Sequence, residues 1–332
     1  MVDFAAMTWN VENLFSPGTE AEEEERESYG RKLGLLASVI GDAGPDVVAL
    51  QEIGGEDALG DLGEALGGGY PHRALSAFPD GRGIRVAFLS RYAFEETEDL
   101  ADFPPGPALD VSDLTAGGGS EPVERMGRGA LRVRVRKEGF LVDLLTAHLK
   151  SKLLSFPRPW GTSFAPGDEN ERAQAAGVAL HRRAAEAVTV RIRANGLLES
   201  GEAPLVLLGD VNDVPEAQTS LLLNGPPGSQ IGSAGFDRPD KGDASRLFNL
   251  APLIPEGRRY SRVHEGRGEL IDQILASEGL LPRGEDGARR LPSADALVDF
   301  RDGLPSVGGD PAERGGDSAP DHAPVVATFV TE

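Results

Sequence analysis

Leu205-Val-Leu-Leu-Gly209-Asp210-Val-Asn212-Asp213-Val-Pro215 runs four apolar residues into a glycine, then into an acid and an amide two positions apart. A short apolar run bounded by turn formers reads as a strand buried on both faces. Residues two apart at its end share one face. The pattern recurs along the chain. In Thr8-Trp9-Asn10-Val11-Glu12, residues 8, 10 and 12 share a strand face, which sets an amide beside a carboxylate. Asp46-Val-Val-Ala-Leu50 closes on Gln51-Glu52, and Leu141 to Ala147 closes on His148 and Lys150. Leu270-Ile-Asp272-Gln-Ile-Leu275 holds an acid inside an apolar run, and Asp321-His322 directly precedes Pro324 to Val330.

Helical patterns lie between these strands. Leu33, Leu36 and Ile40 fall at i, i+3 and i+7, predicting a helix over Tyr29 to Ile40 that stops near Gly41, Gly44 and Pro45. The acidic run Glu20 to Glu27 reads as a solvated helix start or a loop. A long helix is predicted from about Glu169 to Ala194, closed by Asn195-Gly196. Further strands are predicted at 7–15, 85–90, 130–136, 140–146, 270–276 and 324–330. Stretches rich in Gly, Pro, Asp and Ser near 99–129, 151–168, 224–250 and 279–319 read as long surface loops. With no repeat and no clear linker, the chain reads as one α/β domain over residues 1–332, with those loops as insertions.

Composition narrows the function classes. The 332 residues are 39% hydrophobic and 26% charged, enough for a large core. The formal net charge is −21, a surface that repels polyanions at long range, although a basic groove or bound cations can reverse the field locally. Cysteine is absent, which excludes disulfides, thiolate metal sites and a Cys nucleophile. No apolar run reaches the roughly 20 residues of a membrane helix. Met1-Val2-Asp3-Phe4 does not open a signal peptide. The expected location is therefore cytoplasmic, with no membrane partner, and a secreted mature form is left open.

Each polar cluster also has a plain structural reading. Asp210 to Pro215 alone is a turn leading to a helix cap. Asn10 and Glu12 alone are strand-end residues facing water, His148 alone a hydrogen-bonded structural histidine, and Asp321-His322-Ala-Pro324 a polar loop. Asp272 differs, because a carboxylate amid Leu and Ile needs a partner to offset its desolvation, and a histidine is a natural one.

Taken together and in order, these segments resemble the endonuclease/exonuclease/phosphatase superfamily, which includes DNase I-like and exonuclease III-like enzymes. The matching segments are Thr8-Trp-Asn-Val-Glu-Asn-Leu-Phe15, Gln51-Glu52, Ala147-His-Leu-Lys-Ser151, Gly209-Asp-Val-Asn-Asp213, Leu270-Ile-Asp-Gln-Ile-Leu-Ala-Ser277 and Ser318-Ala-Pro-Asp-His-Ala-Pro324. The resemblance spans roughly Met7 to Val330. It implies a four-layer αββα sandwich of two packed mixed sheets with helices outside, and a site at one end of the sheets.

The resemblance also implies roles. Asn10, Glu12 and Glu52 match a metal site for Mg²⁺, with Mn²⁺ able to substitute, and Glu52 matches the principal ligand. Asp210 matches the residue that orients or deprotonates the attacking water, Asn212 an amide on the phosphate, and His148 a histidine on the scissile phosphate. Asp272 matches the carboxylate that fixes His322, and Asp321 a metal-associated or water-orienting acid. Oxygen ligands suit Mg²⁺, and cationic histidines suit phosphoryl oxygens as they gain charge.

There are two departures. Glu124-Arg-Met-Gly-Arg128-Gly129 holds no Tyr where exonuclease III-like enzymes place one, so Arg128 either takes that phosphate contact or is an ordinary loop residue. Leu270-Ile-Asp-Gln273 stands where inositol-phosphatase members carry Trp-Cys-Asp-Arg, which turns the reading away from lipid head groups. Lys150, Lys152, Arg158 and Arg172 gather positive charge near His148, as a phosphodiester backbone requires. Arg132, Arg134 and Arg136 alternate on one strand, as a solvated edge or an extension of the groove.

Three functions follow as expectations. The first is a Mg²⁺-dependent nuclease cutting DNA or RNA with activated water. The others are a phosphatase or phosphodiesterase for a small or lipid phosphoester, and a non-catalytic binding module on the same fold.

Overall fold

The structure is a computed structural model that describes residues 2–299, 306–307 and 319–331. Ser318 and much of the expected 279–319 loop lie outside the described residues.

Two six-stranded sheets dominate. In chain order their strands are β1 (Val2–Leu14), β2 (Val47–Ile53), β3 (His72–Leu75), β4 (Arg85–Ser90), β5 (Phe94–Asp102), β6 (Arg125–Lys137), β7 (Phe140–His148), β8 (Leu205–Asp210), β9 (Leu247–Asn249), β10 (Asp272–Ser277), β11 (Ser293–Ala296) and β12 (Val325–Thr331). The first sheet has the order β11-β12-β1-β2-β4-β3 and the second β9-β10-β8-β7-β6-β5. Each holds one central parallel pair, β1 with β2 and β7 with β8, flanked by antiparallel neighbours. Parallel strands end at the same edge of a sheet. Asn10 thus pairs with Gln51, and Asp210 with His148.

Continuous apolar runs face two cores at once, as strands covered on both sides must. Between the sheets, Phe4, Ala6, Val47, Ala49 and Phe88 meet Val133, Leu144, Val206, Leu208 and Ile274. On the far side of the first sheet, Met7, Trp9, Val48 and Leu50 pack on Leu36 and Ile40 of α1 (Glu23–Ala43) and Leu59 and Leu62 of α2 (Glu56–Ala65). On the far side of the second, Leu145, Leu205, Leu207 and Leu275 pack on Ala187, Val190 and Ala194 of α3 (Glu169–Ser200) and Leu223 of α4 (Gln218–Asn224). The result is the four-layer αββα sandwich.

Local chemistry sets the helix ends. Glu23, Glu24 and Glu25 occupy the first turn of α1, where acids favour the positive end of the helix dipole. Gly44, at φ 60°, donates its N–H to the Ile40 carbonyl and closes that helix. Asp168 caps α3 by accepting from the Glu171 N–H.

The expected stop at Asn195-Gly196 is overturned, because α3 continues to Ser200 and ends at Gly201. A mid-helix glycine costs about 1 kcal/mol. Burying Leu197 one residue later contributes about 2 kcal/mol and outweighs it. The stretches expected as plain loops also carry structure. A hairpin pairs Val111–Leu114 with Ser120–Val123, and another pairs Phe156–Arg158 with Gly161–Ser163. The elements α2, α4, β3, β5, β9 and β11 escaped the sequence pattern, and β9 and β11 lie in stretches expected as loops.

The arginine stripe is neither a solvated edge nor part of a groove. β6 lies between β5 and β7, and Arg132 and Arg134 are buried. Both donate to Asp143, itself fully buried, with Arg132 Nε 2.9 Å from Oδ1 and Arg134 Nη2 2.9 Å from Oδ2. Glu96 accepts from both guanidiniums as well. Only Arg136 stays at the surface, paired with Glu95. Asp143→Ala would leave two buried cations short of a partner and should cost about 3–5 kcal/mol, read as a lower urea midpoint with unchanged m-value.

Candidate active site

The strand ends of both sheets open into one cleft of about 460 Å³. Asn10, Glu12 and Glu52 arrive from the first sheet, and His148, Asp210 and Asn212 from the second. Asp321 and His322 complete the lining from the segment before β12. Side chains separated by some three hundred residues in sequence thus share one floor.

Gly209 makes the approach possible, because a Cβ there would stand 2.1 Å from the Ala147 carbonyl oxygen of β7. Four of the six non-glycine residues with positive φ among the described residues line the cleft: Glu12 (49°), Asn13 (52°), Glu52 (67°) and Asn212 (53°). Such backbone costs free energy and persists where surrounding structure enforces it, often at functional sites. Here it turns Glu12 and Glu52 out of the regular pleat and toward the opening.

Asp210 is buried, and both of its oxygens have partners. Its Oδ2 accepts from Asn10 Nδ2 at 3.0 Å and lies 3.2 Å from His148 Nε2, while Oδ1 accepts from the Asn212 N–H at 2.9 Å. Burial alone would raise this carboxyl, but His148, His322 and the Asn10 amide outweigh it and hold Asp210 well below the usual carboxylate range. Asn212 Nδ2 donates to the Leu149 carbonyl at 2.9 Å, which orients the amide.

Asp272 meets the histidine that its burial requires, with Oδ2 2.6 Å from His322 Nδ1. Burial tends to keep His322 neutral, but Asp272, Asp321 and Asp210 push its pKa up to about 10, so it is an imidazolium at neutral pH. Burial and the nearby Asp210 charge raise the Asp272 carboxyl, and His322 opposes them. His322 Nε2 is turned toward Asp321, 3.8 Å from its Oδ1.

Around this floor, Glu12 accepts from the Asp321 N–H at 3.1 Å, and Glu52 from the Asn13 N–H at 3.0 Å. Arg128 lines the cleft with Nε 3.3 Å from Asp80 and Nη1 3.0 Å from the Leu149 carbonyl. Lys152 also lines it, 3.2 Å from Asp213, and Arg172 lines it while paired with Glu169.

Lys150 is a correction, because it does not line the cleft. β7 ends at His148, so the i, i+2 rule no longer applies, and Lys150 turns inward to donate to the Ser151 and Leu153 carbonyls. Burial, with Arg128 and Arg182 nearby, lowers its pKa to about 8. Arg158 likewise pairs with Glu171.

Sequence reasoning missed Arg82, Arg262 and His264, which also line the cleft. Arg82 sits in a glycine-flanked turn with no pattern to mark it. The alternation Arg262-Val-His264 on a short strand could have drawn notice. Also missed was the relay from Thr8 through Gln51 to Thr146, at 3.2 and 3.1 Å, which ties one sheet to the other.

The donor chemistry fits a hard divalent cation. Ligand atoms of Asp210, Asp272 and His322 lie within 4.8 Å of one another, but His322 spends Nδ1 on Asp272 and carries positive charge, which repels a cation. The carboxylates of Glu12, Glu52 and Asp321 and the Asn10 carbonyl are the suitable oxygen donors facing the cleft.

A family model described as "Endonuclease/Exonuclease/phosphatase family" matches residues 7–293. The chain belongs to the endonuclease/exonuclease/phosphatase family. As a member it is a metal-dependent phosphoester hydrolase. Solved structures agree on the fold. Truncated TDP2 of Caenorhabditis elegans is 15% identical, covers 99% of this chain and 98% of its own, and superposes with a TM-score of 0.56. A conserved protein of unknown function from Enterococcus faecalis is 14% identical over 99% of this chain and 100% of its own, at 0.54. A mannosyl-6-phosphatase of Bacteroides thetaiotaomicron is 14% identical over 98% and 99%, at 0.53. No curated protein matches. No helix among the described residues is long and apolar enough to cross a membrane.

The His322–Asp272 pair makes a pH prediction. A histidine pKa raised from 6.5 to about 10 contributes stability that is complete below 6.5 and is lost as pH rises through about 10. In chelator, Asp272→Asn should therefore destabilise the protein by about 3 kcal/mol near pH 7. The difference in urea midpoint from the wild type should shrink by pH 10. A penalty that does not change with pH would contradict the assignment.

Proposed function

We propose that this protein is a nuclease that hydrolyses phosphodiester bonds of DNA or RNA with Mg²⁺, by in-line attack of water. The observation that carries the reading is the single cleft in which a buried carboxylate (Asp210) and a carboxylate-held imidazolium (His322) stand beside the outward-turned oxygen donors Glu12 and Glu52.

Glu12, Glu52, Asn10 and Asp321 would hold the cation, Glu52 as the principal ligand. When bound, it supplies positive charge against the phosphoryl oxygens as they become more negative. Asp210 holds the attacking water in line, its position fixed by Asn10, His148 and the Asn212 N–H. So acidic a carboxylate is a weak base, so its main work is to orient the water and attract the departing proton. The cationic His322 Nε2–H faces the phosphate and stabilises its growing charge, with Asp272 keeping the ring charged and oriented. His148 and the Asn212 amide contact the remaining phosphoryl oxygens. No covalent intermediate forms.

Arg82, Arg128, Lys152 and Arg172 bring cations to the cleft of a protein whose overall charge is −21, which supports a polyanionic substrate. A small phosphoester is the second reading. It is favoured because all four cations are already paired with carboxylates: Arg82 and Arg128 with Asp80, Lys152 with Asp213 and Arg172 with Glu169.

With Mg²⁺, the protein should cleave oligonucleotides, and kcat/KM should fall steeply as salt rises. Asp210→Asn, with an unchanged circular dichroism spectrum, should lower kcat at least 100-fold (about 10²–10⁴ for a positioned acid–base group). Cleavage of small phosphoesters alone, indifferent to salt, would favour the second reading.

A further inference from the structure

The hairpin that pairs Arg262–His264 with Arg267–Glu269 forms one side of the cleft and has no part in the chemistry above. Its first strand is joined to the catalytic segment by an antiparallel bridge between Arg262 and His322. Arg262 and His264, two apart on that strand, both line the cleft. Each keeps one buried nitrogen without a hydrogen bond among the described residues. Arg262 Nε is buried without a hydrogen bond among the described residues, its nearest acid being Asp321 at 3.5 Å. His264 Nδ1 is likewise buried without a partner among them.

Buried polar nitrogens are normally hydrogen-bonded, and one left over calls for an explanation such as a missing ligand. The cations on the other walls have closer acidic partners: Asp80 lies 3.3 Å from Arg82 and from Arg128, and Asp213 3.2 Å from Lys152. Glu269 is the cross-strand neighbour of Arg262, but its carboxylate lies beside Lys152 at 3.6 Å. A forked guanidinium and an imidazole nitrogen on one strand face suit a tetrahedral oxyanion.

We propose that Arg262 and His264 form a second phosphate subsite that receives the phosphate adjoining the scissile one in a polynucleotide. The proposal rests on the nuclease reading and deepens it, since a substrate with a single phosphate would leave this subsite empty. It assigns the hairpin a role in substrate selection and none in bond cleavage. Arg262 and His264 are thus positioning residues for the length and charge of the substrate.

The test compares three substrates with Mg²⁺: bis(p-nitrophenyl) phosphate, a short single-stranded oligonucleotide, and the same oligonucleotide with one neutral methylphosphonate beside the cleaved bond, placed on each side in turn. For the plain oligonucleotide, Arg262→Gln and His264→Gln should each raise KM about tenfold, the usual scale of a lost charged hydrogen bond, with little change in kcat. Arg262→Gln should also lower the slope of log KM against log salt by about one. The methylphosphonate on one side should weaken wild-type binding by a similar factor and add nothing in the variants. Turnover of bis(p-nitrophenyl) phosphate by His264→Gln should change less than about twofold. Oligonucleotide KM unchanged in both variants, or methylphosphonate effects that persist in them, would overturn the subsite. An enzyme that turns over bis(p-nitrophenyl) phosphate and no nucleic acid would overturn the nuclease reading itself.

Discussion

A carboxylate removed from water must be met by donors or lose its charge, and Asp210 imposes that condition on this fold. It is 1% exposed, and its donors come from both sheets: Asn10 from the first, His148 and the Asn212 N–H from the second. If the sheets were to slide, the Asn10 bond at 3.0 Å would be lost and a buried charge left with fewer donors. Such a loss costs several kcal/mol, comparable to much of a domain's net stability. The same contact therefore holds the sandwich in register and assembles the site.

The arrangement follows from two similar halves. Each sheet places one parallel pair at its centre, and each pair delivers polar residues at its C-terminal edge: Asn10 beside Gln51, and Asp210 beside His148. Apolar side chains fill the space between the sheets for most of their length. Toward the cleft, polar pairs replace them, first the Thr8–Gln51–Thr146 relay and then Asn10–Asp210. Packing thus gives way to hydrogen bonding, then to an open cavity. Left-handed backbone at Glu12, Asn13, Glu52 and Asn212 marks the boundary where the regular pleat is abandoned.

Charge is distributed with equal economy. A net charge of −21 sets a repulsive field at long range, while arginines gather around the cleft. Many other arginines have structural work. Arg132 and Arg134 clamp Asp143, and Arg246 and Arg289 donate to Asp243 in a second buried cluster. The number of basic residues near a motif is consequently a poor guide to what a substrate meets. Lys150, two residues past His148, faces inward, whereas Arg262, more than a hundred residues away, faces the cleft.

By itself the sequence determined the class of fold and the strand ends that carry polar residues, because buried strands need apolar runs and their side chains alternate with a period of two. It also marked Asp272 as needing a partner, since a lone acid among Leu and Ile is costly wherever it lies. The tertiary structure alone decided what those residues meet: Asn10 reaching across to Asp210, Lys150 turning away, Arg132 and Arg134 buried on Asp143, and Arg262 and His264 brought to the cleft. Local pattern reports the direction of a side chain relative to its own strand. Neighbours across two packed sheets are fixed by sheet order and register, which are encoded in contacts between segments hundreds of residues apart.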